Sequence, residues 1–178
     1  MPILVAQRHL FQHFDHALFR SRLRVHMRRW GLAYALMIVG AAMFQQHFTF
    51  GLNVSPSLPV RFFLIHKGEM PQQGQHVAFR WPGGGRYPAG ITFVKIIAGT
   101  AGDTVSCVDR DFFVNGSYVG RAKPVSRQGT PLEPGPTGIL PGGHYYVRAP
   151  HPDSLDSRYR LTGWVSQSQI IGRAYALL

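Results

Sequence analysis

Beyond Gly51 the chain is cut into short apolar runs by glycine and proline, and no long helical pattern is left. Residues 60–65, 76–79, 91–97 and 104–108 each read as a strand between turn signals. Phe112-Phe113-Val114, Asn115-Gly116 and Ser117-Tyr118-Val119 predict a hairpin, because Asn-Gly supplies the two positive φ angles of a type I′ turn. Residues 145–148 and 170–177 complete the set, while 81–90 and 123–143 read as loops. The 20 glycines and 13 prolines suit a turn-rich β domain better than a helical one. A mainly β domain over residues 51–178, a folded sheet or barrel, is expected.

The segment ahead of it is different. Residues 30–44 (WGLAYALMIVGAAMF) are uncharged and almost wholly apolar, with Arg28 and Arg29 immediately before them. As a helix that run rises about 22 Å, against a hydrocarbon core of about 30 Å. Extension to residue 50 takes in Gln45, Gln46 and His47, which suit a headgroup region. A transmembrane anchor over 30–50 is expected. A cleaved signal with Gly40-Ala41-Ala42 near its cleavage site, or a buried helix, fits the same run. Residues 1–29 hold Arg8, Arg20, Arg22, Arg24, Arg28 and Arg29 against Asp15. With an anchor, that bias predicts a cytoplasmic N-terminus and an exported domain. Leu10, Phe14, Ala17 and Leu18 fall at helical spacing, as in an amphipathic helix on the cytoplasmic face. A poorly ordered tail, or an over-long predicted start, fits equally.

The net charge of +11 raises nucleic acid as a partner. After residue 29, however, the basic residues are scattered singly among acids, with no basic stripe interleaved with aromatics, so no nucleic-acid partner is expected. The single cysteine, Cys107, excludes an intramolecular disulfide and reads as a small core residue. No metal-ligand spacing occurs among the nine histidines, and Gly83–Gly85 lacks the Lys-Ser/Thr of a phosphate loop. No metal and no cofactor are expected. A Gly-x-Ser-x-Gly elbow is also missing.

Two short stretches carry candidate chemistry. In Asn53-Val54-Ser55-Pro56-Ser57-Leu58-Pro59 a serine stands between prolines just before a β run, which by itself also fits a plain turn. In Phe93-Val94-Lys95-Ile96-Ile97 a lysine is centred in an apolar strand. Lys95 either faces water or is buried; burial disfavours the ammonium and yields a neutral amine able to deprotonate a serine hydroxyl.

Together these stretches resemble the type I signal peptidase superfamily, from the apolar segment to the C-terminus. Ser57-Leu58-Pro59 matches the shorter form of its nucleophile motif. Phe93 to Asp103, ending Gly99-Thr100-Ala101-Gly102-Asp103, matches its lysine motif. Phe113-Val114-Asn115-Gly116 falls where the family has a hairpin. Ser154-Leu155-Asp156-Ser157-Arg158-Tyr159 and Ile171-Gly172-Arg173-Ala174 reproduce its last two elements. The single residue between Ser57 and Pro59, and Arg148-Ala149-Pro150 in place of Gly-Asp-Asn, are similar to the conjugative-transfer (TraF-type) branch, which matures pilin subunits. Arg148-Ala149-Pro150 puts in doubt the backbone packing that glycine permits beside the lysine.

The resemblance implies a membrane-bound serine endopeptidase with Ser57 as nucleophile and Lys95 as general base. It implies an oxyanion hole of the Ser55 hydroxyl and the Ser57 N–H, with Ser154 orienting the lysine and Asp156 and Arg158 as a supporting ion pair. Its partners would be an exported precursor, a pro-pilin, and inner-membrane lipid. Its domains would be a basic segment 1–29, an anchor 30–50 and a periplasmic protease domain 51–178. A general type I signal peptidase and an inactive β domain tethered within an export apparatus are the alternatives.

Overall fold

The computed structural model describes residues 16–177, and the chain divides into two units, Met1–Phe44 and Gln45–Leu178. In the first unit the described residues belong to α1 (His16–His47), a 32-residue helix that ends three residues into the second. Leu32, Leu36, Ile38, Val39 and Met43 are exposed along it. Leu10 and Phe14, and with them most of the predicted amphipathic helix, lie outside the described residues.

The expected anchor over 30–50 is corrected. Among the described residues no helix is long and apolar enough to cross a membrane. The apolar run is confined between Arg29 and Gln45, and residues 48–50 leave the helix to enter a strand. The topology argued from a spanning helix therefore has no basis in the described residues.

Among the described residues the second unit has eleven strands. In chain order they are β1 (Phe48–Leu52), β2 (Phe62–Lys67), β3 (His76–Arg80), β4 (Thr92–Gly99), β5 (Thr104–Val108) and β6 (Asp111–Val114). They continue as β7 (Ser117–Arg121), β8 (Gly138–Ile139), β9 (His144–Arg148), β10 (Val165–Ser166) and β11 (Ile170–Ala176). Seven form one sheet in the order β1-β2-β11-β3-β4-β9-β10, and four form another in the order β7-β6-β5-β8. All their pairings are antiparallel. The mainly β expectation holds.

The predicted hairpin is present, with Val114 opposite Ser117 and positive φ at Asn115 (49°) and Gly116 (78°). A second two-residue turn joins β5 to β6 through Asp109 (φ 47°) and Arg110 (φ 71°). A bulky residue at positive φ is costly. The Arg110 side chain offsets that cost by donating to the carbonyls of Ala122, Lys123 and Leu132, so the turn also pins the loop after β7.

Two features of the larger sheet position the site. Leu52 pairs with Phe62, and the Asn53 N–H donates to the Arg61 carbonyl at 2.8 Å. Residues 53–61 are thus a closed excursion at the end of the β1–β2 hairpin. Its inward residue is Leu58, buried with Phe63, Ile65, Ala78, Ala149 and Ala174. β4 meanwhile runs mid-sheet between β3 and β9, with Val77 opposite Lys95 and Arg148 opposite Ile96.

Candidate active site

Alternation along β4 puts Phe93, Lys95 and Ile97 on one face of the sheet. Ile97 and Phe93 pack in a cluster with Val77, Phe79, Trp81 and Val147. Lys95 is drawn into the same apolar surroundings and is only 5% exposed. Its Nζ stands 5.6 Å from the centroid of the Phe93 ring, which is itself stacked on Trp81 at 4.7 Å. One polar partner is present: Nζ donates to Ser154 Oγ at 2.8 Å. Burial brings the Lys95 amine down from its ordinary value to about 8; Asp156 pulls the other way, and Arg158 adds to the lowering. Of the two readings left open for this lysine, the buried one is correct.

Ser154 is held from behind. Asp156 is fully buried and takes a two-pronged ion pair from Arg158, Nε to Oδ1 at 2.8 Å and Nη2 to Oδ2 at 2.9 Å. Arg158 Nη2 also donates to the Ser154 carbonyl at 3.3 Å, so the pair fixes the backbone that carries the lysine's partner. The Ala149 N–H donates to Asp156 Oδ2 at 3.0 Å. Ala149 is itself 1% exposed, so Arg148-Ala149-Pro150 packs beside the lysine strand without glycine.

On the excursion after β1, Ser57 is 7% exposed. Its Oγ is bonded to Ser55 Oγ at 2.8 Å, and Ser55 Oγ donates to Asn53 Oδ1 at 3.0 Å. Ser55, Ser57, Lys95 and Ser154 line one groove of about 1310 Å³. No hydrogen bond joins Ser57 to Lys95; each is held by a neighbouring serine. The groove thus presents a hydroxyl and a buried amine whose neutral form is accessible near physiological pH, with a second hydroxyl beside the first. That is the equipment of acyl transfer.

Residues 23–178 match the family described as "Signal peptidase, peptidase S26". The chain belongs to the signal peptidase family. As a signal peptidase it is a serine peptidase that acts on a precursor protein. No curated protein sequence matches it. Among solved structures, a signal peptidase I from Enterococcus faecalis V583 is similar at 27% identity, over 62% of this chain and 98% of its own, with a TM-score of 0.40.

Every site residue expected from the sequence lies in this signal peptidase domain, either lining the groove or, for Asp156 and Arg158, directly behind Ser154. Sequence reasoning missed three contributors. Leu58 roots the serine-bearing loop in the core; its signal was an apolar residue between Ser57 and Pro59. Trp81 backs the Phe93 ring that lies beside Lys95, but a tryptophan at the head of a loop carries no such signal. Asn53 had one in its Asn-x-Ser spacing, which favours an Asx turn.

Proposed function

We propose that this signal peptidase works by a Ser57/Lys95 pair. The buried amine of Lys95 in the groove that holds Ser57 carries that reading: among the described residues it is the one buried lysine. Ser57 gives its proton to neutral Lys95 as Oγ attacks the scissile carbonyl, and the developing oxyanion takes the Ser55 hydroxyl and the Ser57 N–H. The C–N bond breaks, the leaving amine receives the proton from Lys95, and an acyl ester remains on Ser57. Lys95 then activates the water that hydrolyses the ester. The missing Ser57–Lys95 hydrogen bond is compatible with a resting enzyme, since catalytic contacts commonly tighten only when substrate is bound.

The precursor in this reading is an exported pro-pilin, which loses a leader or tail segment. Two sequence features support it, the Ser57-Leu58-Pro59 spacing and Arg148-Ala149-Pro150 before the last box. The same reading has the enzyme at a bacterial inner membrane, its catalytic domain facing the periplasm. Exposed Leu32, Leu36, Ile38 and Val39 of α1 offer apolar surface to lipid, and the arginines before them offer charge to anionic headgroups.

The test is co-expression of wild type, Ser57→Ala and Lys95→Ala with a candidate pro-pilin. Wild type processes it, and each variant loses about 10⁴-fold or more of the rate. Undiminished processing by either variant would sink the pair. Processing of general exported precursors but not of the pro-pilin would favour a general type I signal peptidase. No processing of any precursor by wild type would favour the inactive tethered domain.

A further inference from the structure

Asn53 opens the segment that carries both hydroxyls, yet no step of the acyl transfer calls on it. Its side chain is nonetheless fully used. Nδ2 donates to the carbonyls of Leu58 at 3.1 Å and Val60 at 3.0 Å. Oδ1 accepts from the Ser55 N–H at 3.1 Å and from Ser55 Oγ at 3.0 Å. A primary amide has two donor hydrogens and one oxygen with two lone pairs, and all four capacities are engaged here.

That pattern fixes the amide's orientation. With nitrogen and oxygen exchanged, the NH₂ would face the Ser55 N–H and the oxygen would face two carbonyl oxygens. It also fixes the hydroxyl protons. Oδ1 carries no hydrogen, so the bond between Asn53 and Ser55 uses the proton of Ser55. The 2.8 Å bond between Ser55 and Ser57 must then use the proton of Ser57, with Ser55 Oγ accepting.

We propose that Asn53 is a positioning residue of the reaction, one that holds Ser55 and Ser57 in register and orders their protons before substrate arrives. This rests on the Ser57/Lys95 reading. When the scissile carbonyl oxygen enters, the Ser55 hydroxyl turns from Asn53 Oδ1 to the developing oxyanion. The Ser57 proton, no longer bound to Ser55, passes to Lys95. Throughout, the Ser55 N–H stays on Oδ1 and the Leu58 and Val60 carbonyls stay on Nδ2. One hydroxyl rotates while the loop that bears the nucleophile keeps its place.

The experiment uses the full-length chain and an internally quenched peptide spanning a pro-pilin cleavage junction. It compares wild type, Asn53→Ala, Ser55→Ala, the double variant and Ser57→Ala. Asn53→Ala lowers kcat about 30- to 100-fold, leaves KM within about three-fold and still shows a cooperative thermal transition. In the Ser55→Ala background the further loss from Asn53→Ala is much smaller, because one of its two tasks is already gone. An unchanged kcat, or losses that multiply in the double variant, would overturn the proposal. Should Asn53→Ala fail to fold, Asn53→Leu, close in shape and without polar atoms, loses all four bonds; wild-type kcat in that variant also overturns it. If wild type and Ser57→Ala cleave equally, it is the Ser57/Lys95 reading that fails. If they differ and Asn53→Ala matches wild type, only the role of Asn53 fails.

Discussion

Lys95 is buried as a core residue would be, and its charge is the reason that burial costs stability. The amine has a folded-state value of about 8 against 10.5 when unperturbed. Between those values the unfolded chain binds more protons than the folded one, so stability rises with pH across that window. Below about pH 8 the ammonium is buried at a cost on the order of 3 kcal/mol. Lys95→Met should therefore melt at a higher temperature than wild type at pH 6, and the gap should shrink by pH 10 although cleavage is lost. A gap independent of pH would mean that Lys95 binds its proton equally in the folded and unfolded chain, so that burial does not lower its pKa. Cleavage by wild type should climb with pH and level off past about pH 8, as Lys95 becomes neutral. Arg158 tunes that limb. Arg158→Met removes a group that lowers Lys95 and leaves Asp156, which raises it, without its partner. The limb should move to higher pH, and the domain should lose about 3–5 kcal/mol for the stranded carboxylate. A limb that stays in place in a destabilised variant would confine Arg158 to holding the fold.

Strands with strong local signals are legible in the residues themselves. β5 has the bounds expected, and Asn115-Gly116 turns where it should. What is not legible depends on partners distant in sequence. β1 reads as the end of an anchor because Phe48-Thr49-Phe50 is apolar; only pairing with β2 makes it a strand. β8 and β10 are two residues each, too short for periodicity to register. Lys95 itself is ambiguous from alternation, since a strand covered on both faces and a strand with one wet face can share a local pattern; the fold buries it. The Gly172 element shows the same dependence. A Cβ there would sit 1.8 Å from the His66 carbonyl oxygen, where β11 lies against β2 beside its irregular register with β3. Gly172→Ala must push two central strands apart, and a loss of more than about 3 kcal/mol in urea unfolding is expected. A loss under about 1 kcal/mol would show that the strands separate easily there.

The two units should divide the work of the molecule. Both sheets, the three core clusters and the groove lie between residues 48 and 176. The exposed apolar side chains of α1, by contrast, belong to the part of the chain that carries the arginine cluster. A chain of residues 45–178 should then unfold in one cooperative transition and cleave a short soluble peptide within about three-fold of the full chain's kcat/KM. It starts at Gln45 because Lys67 Nζ donates to that residue's carbonyl at 2.6 Å. Sedimentation with vesicles of mixed zwitterionic and anionic lipid should separate the two proteins. The full chain should pellet, less so as salt screens its arginines, and the shortened one should stay in solution. If the shortened chain pellets equally, lipid contact resides in the β domain and α1 serves another purpose. If it fails to fold, the β1–β2 hairpin needs α1 as its support, and the Ser57 loop at the hairpin's end depends on the helix as well.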